Sequence, residues 1–480
     1  MTGVAAAVLA VIHVAAQVAF ILRALLRPHR DPASRVAWVL VLLVVPVAGI
    51  VGYVLFGEAN VSKGRAQRYH RLERLFAASN REMPGQDCMD RIAPRHRHLF
   101  RAGRSVNGFD PVDGNTAQLL TETDGAVDAI VADMDAATDH VHLLCYIWLN
   151  DTNGQKVAEA AKRAARRGVT VRALADNLGS RRMIRSAHWA EMEAAGVRLA
   201  RAMPLVNPFL HPFRGRIDLR NHRKIVVIDD RITYSGSQNF ADAEFRIKAR
   251  YAPWVDVMVR FTGPVARQNQ YLFAQDWMAH VDEDLRPMFP PKSAETSGGV
   301  IAQAIGTGPT VRASAMPEMF GVLIHAAREE LVLSTPYYVP TEAMQDALCA
   351  AAHRGVDTRI VFPAHNDSWL VAAASRSYYQ DLLAAGVRIY EFPDGLLHAK
   401  TLTLDREVAM IGSANLDRRS FELNFENNIL LQDADLTASL RARQQDWLEA
   451  SDEVLDRDVA EWSLARQLWN NSVAMLGPLV

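Results

Sequence analysis

The sequence predicts an α/β protein in which two copies of one strand-and-helix unit follow a hairpin of two transmembrane helices. Three observations point there. Two long apolar runs open the chain, strand and helix patterns alternate through the rest, and a motif set in the first half returns in the second at a fixed offset. The 480 residues suffice for two or three domains with cores of their own.

Residues 4–22 are apolar apart from His13 and Gln17, and residues 36–56 form a longer, cleaner run. A run of roughly 20 apolar residues crosses a bilayer as a helix. Residues 1–60 are therefore expected to form a two-helix membrane hairpin, making the protein multi-pass, with the second run the better span. The first run lacks the basic start and small-residue cleavage site of a signal peptide. His13 and Gln17 are costly in lipid unless they face a partner helix, whereas Pro46 and Gly49 are tolerated within a span. Arg23, Arg27, Arg30 and Arg35 lie between the runs, and Lys63, Arg65, Arg68, Arg71 and Arg74 follow the second. With both flanks of the second run basic, the positive-inside bias does not choose an orientation cleanly. The larger second cluster leads into the folded part and favours the cytoplasmic face for it. Residues 61–110 read as a basic juxtamembrane linker, attractive to anionic head groups or simply solvated.

Composition narrows the function. With 53 basic and 54 acidic residues the net charge is −1, which does not suit a bulk nucleic-acid binder. Cys88, Cys145 and Cys349 show no CxxC spacing, so neither a disulfide framework nor a zinc site is expected.

The repeat divides residues 111–290 from residues 291–480. In the first unit a strand at 142–149 precedes a helix at 155–167, then RRGVTVRALAD (166–176) and a helix ending in AAGVRLA (194–200). In the second a strand at 331–339 precedes a helix at 343–352, then HRGVDTRIVFP (353–363) and a helix ending in AAGVRIYEF (384–392). Alternating strands and helices predict a mostly parallel sheet covered on both faces.

After each AAGVR element comes the chemistry. The motif cores at 216–243 and 392–419 hold His222, Lys224 and Asp229, and His398, Lys400 and Asp405, in the pattern H-x-K-x4-D. Each is followed by G-S-x-N: Gly236, Ser237 and Asn239, then Gly412, Ser413 and Asn415, every member offset by 176 residues. Residues two apart on a strand share a face, so each His and Lys is expected to project together. The aspartates fall at the strand's end, where holding the motif's own turn is the favoured role and direct chemistry the alternative. Ser237, Asn239, Ser413 and Asn415 offer hydroxyl and amide donors to a phosphoryl oxygen. A lone HxK is usually structural; two copies with matching G-S-x-N are specific.

At these residues the sequence resembles the phospholipase D superfamily over about residues 110–480, and within it the bacterial cardiolipin synthases, whose membrane hairpin residues 1–60 also match. Further matching segments are WVD (254–256), the run from Gly263 to Trp277, DRRSFELNFEN (417–427) and QDW (445–447). The resemblance implies tandem phospholipase D-type domains related by a pseudo-twofold, a mixed sheet sandwiched by helices, and both motifs in one active site. It implies His222 as nucleophile, His398 as general acid and base, and Asp256 and Glu426 as the acids orienting the imidazoles, with Glu422 a competitor to Glu426. Sequence symmetry by itself does not separate the two histidines. Lys224 and Lys400 would neutralise phosphate oxygens. No cofactor is expected, and no metal-ligand cluster is evident in the sequence.

The implied reaction joins two phosphatidylglycerols into cardiolipin and glycerol through a phosphohistidine. Its rivals are hydrolysis of phospholipid by the same intermediate and non-catalytic binding of anionic lipid; phosphatidylethanolamine as donor stays open. Intact duplicate His, Lys, Ser and Asn sets count against a decayed site. The expected setting is the bacterial inner membrane. The insertion at 204–220 is apolar, aromatic and basic, which suits either a connecting loop or a lipid-facing lip. Tyr146, Tyr337 and Tyr338 end core strands and are candidate site walls.

Overall fold

The computed structural model describes residues 2–27, 32–58, 61–77, 88–204, 216, 218–289 and 298–475. Most of the 204–220 insertion lies outside these residues.

The first apolar run forms one helix, α1 (Thr2–Leu26), long and apolar enough to cross a membrane. The second does not form one helix. It divides at Val45 into α2 (Pro32–Val44) and α3 (Pro46–Phe56), because Pro46 has no N–H to donate and its ring crowds the preceding turn. The expected order of the two spans is thereby reversed: the run with polar residues is the continuous one.

Of the segment expected as a linker, the described residues 61–77 and 88–110 are built into the folded body. In α4 (Lys63–Ala77), Tyr69, Leu72 and Phe76 repeat at helical spacing and are buried. Tyr69 stacks on Phe425 with ring centroids 5.0 Å apart, and its hydroxyl donates to Asp276 at 2.9 Å. Helix α5 (Arg97–Asn107) contributes Leu99, Phe100 and Val106 to a second core. It ends at Gly108 with φ of 79°, a left-handed cap that glycine adopts without steric cost.

Twenty strands follow among the described residues. In the first unit they are β1 (Val112–Leu120), β2 (His140–Cys145), β3 (Thr170–Asp176), β4 (Arg198–Ala202), β5 (Arg220–Asn221), β6 (Ile225–Ile228), β7 (Ile232–Gly236), β8 (Trp254–Val255) and β9 (Met258–Thr262). In the second they are β10 (Val300–Thr307), β11 (Glu330–Ser334), β12 (Tyr338–Val339), β13 (Asp357–Pro363), β14 (Arg388–Phe392), β15 (Leu396–Leu397), β16 (Thr401–Leu404), β17 (Val408–Gly412), β18 (Leu416–Asp417), β19 (Asn424–Gln432) and β20 (Asp452–Val454).

One sheet runs through both units in the order β20-β14-β13-β11-β16-β17-β19-β10-β1-β9-β7-β6-β2-β3-β4. Read outward from the β10/β1 seam, seven strands of one unit meet seven counterparts of the other, which is the pseudo-twofold, and β20 is added at the second unit's edge. Along this path the parallel pairs are β2 with β3 and β3 with β4, and likewise β11 with β13 and β13 with β14, while β20 joins β14 antiparallel at the edge. The centre is antiparallel, so the sheet is mixed rather than mostly parallel. The hairpins β6/β7 and β16/β17 impose this, since each motif strand turns back directly on itself. Both sheet faces are covered by apolar clusters, including one that draws on both units through Ile225, Val259, Ala399 and Ile429.

Candidate active site

Each His-x-Lys sits in an extended segment just ahead of its strand, between β5 and β6 in the first unit and between β15 and β16 in the second. The short leading strands cross to the other unit. β5 pairs with β19, and the His222 amide donates to the Phe425 carbonyl at 2.9 Å. β15 pairs with β8, and the His398 amide donates to the Val255 carbonyl at 2.8 Å. Each histidine is therefore held by backbone one residue before the other unit's acid.

The acids complete the exchange. Nδ1 of His222 lies 2.9 and 3.1 Å from the carboxylate oxygens of Glu426, and Nδ1 of His398 lies 2.7 Å from Asp256 Oδ1. A carboxylate at Nδ1 fixes the tautomer that leaves the Nε2 lone pair free. Glu422 ends a short helix (Arg418–Glu422), while Glu426 is the one on β19 that faces His222. Lys224 Nζ lies 3.3 Å from His222 Nε2 and donates to the His222 carbonyl at 3.0 Å; Lys400 makes the equivalent bond to the His398 carbonyl.

These groups are almost dry. Burial pushes His222 and His398 down to about 4; Glu426 and Asp256 oppose that, but the lysines reinforce it. Burial likewise pulls Lys224 to about 8 and Lys400 to about 7. Burial alone would raise Asp256, but His398 and Lys400 hold it at about 2. Lys400 acts on His222 and Lys224 on His398, so the two motif sets share one electrostatic neighbourhood.

The serines take a different place from the one expected. Neither is exposed, and neither hydroxyl is left over for a phosphate. Ser237 Oγ accepts from the Val257 amide at 3.1 Å and Ser413 Oγ from the Asn427 amide at 2.9 Å, each the residue after an acid. Ser413 also donates to Glu426. They fix the acids. The preceding glycines allow the strands to close: a Cβ on Gly236 or Gly412 would collide with the carbonyl oxygen of Val257 or Asn427. Asn239 and Asn415 each keep a side-chain oxygen buried without a hydrogen-bond partner, an open polar position at matching points in the two units.

Asp229 and Asp405 stand apart from this site, which corrects their placement among the catalytic candidates. Each lies beyond the far end of its motif strand, in a turn with positive φ (53° and 49°). Asp229 accepts from the amides of Thr138, Asp139 and His140 at 2.9 Å each. Asp405 accepts from the amides of Arg328, Glu329 and Glu330 at 2.8 to 3.1 Å. They tie the hairpin turn to the start of the neighbouring strand in both units.

Several neighbours complete the walls. The Tyr146 ring lies 4.8 Å from His222, edge to face, and the Trp254 ring lies 4.6 Å from His398. Tyr338 points into the second unit's core and bonds Gln345, while Tyr337 donates to Asp367 at 2.7 Å. Arg223, between His222 and Lys224, donates to Asp276 at 2.9 Å and to the Glu426 carbonyl at 3.1 Å. Asp276 also accepts from Asn221 at 2.9 Å. Nothing in the linear spacing signals the Arg223–Asp276 pair, since 53 residues separate its members. The matching position in the second unit is Ala399.

Residues 130–277 and 322–447 match the family described as cardiolipin synthase, PLD-like domain, and residues 5–58 match the phospholipase D-nuclease N-terminal family. The chain is 36% identical over 466 residues to cardiolipin synthase A of Yersinia pseudotuberculosis serotype O:3 (strain YPIII), covering 93% of this chain and 92% of that protein. It is 36% identical over 470 residues to cardiolipin synthase A of Edwardsiella ictaluri (strain 93-146), covering 94% and 93%. The chain belongs to the phospholipase D-like cardiolipin synthase family. Among solved structures, phosphatidylserine synthase of Haemophilus influenzae Rd KW20 superposes with a TM-score of 0.57 at 14% identity, covering 80% of this chain and 96% of that one. That likeness is one of fold. The family match also accounts for the apolar N-terminal segment, which associates this cardiolipin synthase family member with the membrane.

Proposed function

We propose that this protein makes cardiolipin by transferring a phosphatidyl group from one phosphatidylglycerol to another, releasing glycerol. The observation that carries the reading is the pair of buried imidazoles, each oriented through Nδ1 by the other unit's acid. Residues 111–290 and 291–480 act as two phospholipase D-like units contributing to one centre.

In the first step His222 Nε2 attacks phosphorus, the bond to the head-group glycerol breaks, and His398 protonates the departing oxygen. In the second, the hydroxyl of another phosphatidylglycerol gives its proton to His398 and attacks phosphorus. The phosphorus–nitrogen bond then breaks and frees His222. The resemblance assigns the attacking role to His222. The resting imidazoles are neutral, which suits a nucleophile, and the arriving phosphate anion favours the protonation that His398 needs. Lys224 and Lys400 hold the phosphate oxygens, with Asn239 and Asn415 beside them. The catalytic units face the cytoplasm in this reading, supported by the basic residues on either side of α2 and α3.

The test uses the purified full chain in detergent with phosphatidylglycerol, beside His222→Ala and His398→Ala. Cardiolipin and glycerol in matching amounts, absent from both variants, are expected. Phosphatidic acid and glycerol without cardiolipin would make the protein a hydrolase.

A further inference from the structure

The N-terminal segment carries an inference about how many times the chain crosses the bilayer. Its first helix is ~37 Å long at ~1.5 Å per residue, more than the ~30 Å hydrocarbon core. At the same rise α2 and α3 reach only ~20 and ~16 Å. Neither crosses alone, and the contacts between them exclude an end-to-end arrangement. A Cβ on Gly49 would sit 2.7 Å from the Val41 carbonyl oxygen, and one on Gly52 would meet the Trp38 ring at 3.8 Å. Trp38 and Tyr53 pack edge to face at 5.1 Å. These partners are equidistant from Val45 along the chain to within a residue, so α3 runs back antiparallel along α2. Two glycines on one side of α3 allow the close approach.

The ends of the hairpin agree. Glu58, just past α3, pairs with Arg23 at 2.6 Å and with Arg27 at 2.8 Å, both at the end of α1. Arg35, in the first turn of α2, donates to the Arg27 carbonyl at 2.8 Å. The end of α1, the start of α2 and the exit of α3 therefore lie together at one level. The bend lies deeper. Its residues Leu43, Val44, Val45 and Val47 are half to three-quarters exposed and wholly apolar. The bend also explains Gln17. Pro46 leaves the Leu42 carbonyl without its helical donor, and Gln17 Nε2 supplies one at 2.8 Å.

We propose that α1 crosses the membrane once and that α2–α3 is a re-entrant hairpin, dipping into the leaflet next to the catalytic units and returning to the same side. This replaces the two-crossing arrangement expected from hydropathy and puts the N-terminus on the opposite side from the catalytic units. It also resolves the charge pattern. Arg23, Arg27, Arg30 and Arg35 then share a side with Lys63, Arg65, Arg68, Arg71 and Arg74. Two crossings would place these clusters on opposite faces, whereas one crossing collects all of them on the face the positive-inside bias selects.

The test is cysteine accessibility in the full-length protein, with Cys349→Ser as background because Cys88 and Cys145 are buried. Thr2→Cys, His29→Cys, Val44→Cys and His70→Cys would each be probed with a membrane-impermeant maleimide in intact spheroplasts and in inverted vesicles. Cardiolipin formation in the same vesicles identifies the variants that fold, and its absence everywhere counts against the proposed reaction, not the topology. The expected result is opposite sidedness for Thr2→Cys and His70→Cys, His29→Cys on the side of His70→Cys, and Val44→Cys unlabelled from both. Thr2→Cys and His70→Cys labelled from one side, with His29→Cys from the other, would overturn the proposal.

Discussion

The catalytic lysines are expected to set the upper pH limit of this enzyme well below the range of an ordinary ammonium group. Burial places Lys400 at about 7 and Lys224 at about 8, against the usual value near 10.5. A lysine serves a phosphate only when protonated, so this contribution is complete at low pH and is lost as pH rises through the folded value. If both must be charged, simple titration leaves about 1% of Lys400 and about a tenth of Lys224 protonated at pH 9, so kcat/KM falls by roughly a thousandfold between pH 6 and pH 9. The histidines titrate near 4 and leave that interval undisturbed. Bound phosphate keeps the ammonium groups charged, so the limb in kcat lies at higher pH than the limb in kcat/KM. The assay is cardiolipin formation in mixed micelles with a large excess of non-ionic detergent and ample salt, which dilute and screen the anionic lipid so that surface pH follows bulk pH. Lys400→Arg is the diagnostic variant: a guanidinium stays charged above pH 12, so its limb moves from about 7 to about 8 and becomes shallower, whatever its maximum. A kcat/KM constant within threefold from pH 6 to pH 9, or a Lys400→Arg profile with an unmoved limb, would refute the assignment of the limb to these lysines.

Three further outcomes are expected. Glu426→Gln and Asp256→Asn each offer an N–H where the imidazole needs an acceptor, and each lowers kcat by roughly 10³–10⁴ with little change in melting temperature, as for other oriented histidines; turnover and thermal unfolding of the same preparation check this. Asp405→Ala strands three backbone amides and costs ~2–4 kcal/mol of stability, seen as a lower melting temperature with kcat of the folded protein within threefold. Gly412→Ala collides with the Asn427 carbonyl between β17 and β19 and lowers stability, by thermal unfolding, whereas Gly321→Ala, in a helix with open space for its Cβ, does not.

The repeat and the motif residues could be read from the chain because each is a local pattern or a fixed spacing, whereas the orienting acids, 170 and not 176 residues apart, came only through the family resemblance. What could not be read are relations across the repeat. Nothing local to WVD says that Asp256 serves His398 rather than the histidine of its own unit. The swap follows from β15 pairing with β8 and β5 with β19, strands of two residues with no periodicity of their own. The serines were misplaced for a related reason. A hydroxyl near a phosphate motif suits the phosphate, and only the fold reveals a carboxylate already waiting for Ser413. The mostly parallel sheet came from reading strand–helix alternation as the rule throughout, whereas the motif hairpins turn back at Asp229 and Asp405. The break in the second apolar run at Val45 was not legible because hydropathy counts residues and ignores the missing N–H of Pro46.

The exchange of acids changes what the duplication means. Had each unit oriented its own histidine, one unit could in principle hold a working His–Lys–acid set, and the second would add only a proton donor. Here the first unit's imidazole is positioned by β19 of the second, and the second unit's by the segment after β8 of the first. Both histidines have their amides bonded to that same borrowed backbone. Separation of the units would remove the acid, the backbone acceptor and the burial from each histidine at once. The antiparallel β1/β10 seam, which joins the units across a register shift between Val112 and Asn115, is therefore as necessary to the site as the motif residues are. The same logic extends to α4, which stacks Tyr69 on Phe425, next to Glu426, and bonds Asp276 beneath Asn221 and Arg223. Helix α4, which follows the apolar N-terminal segment in the chain, thus packs directly behind the His222 motif and ties its own position to the centre that acts on lipid.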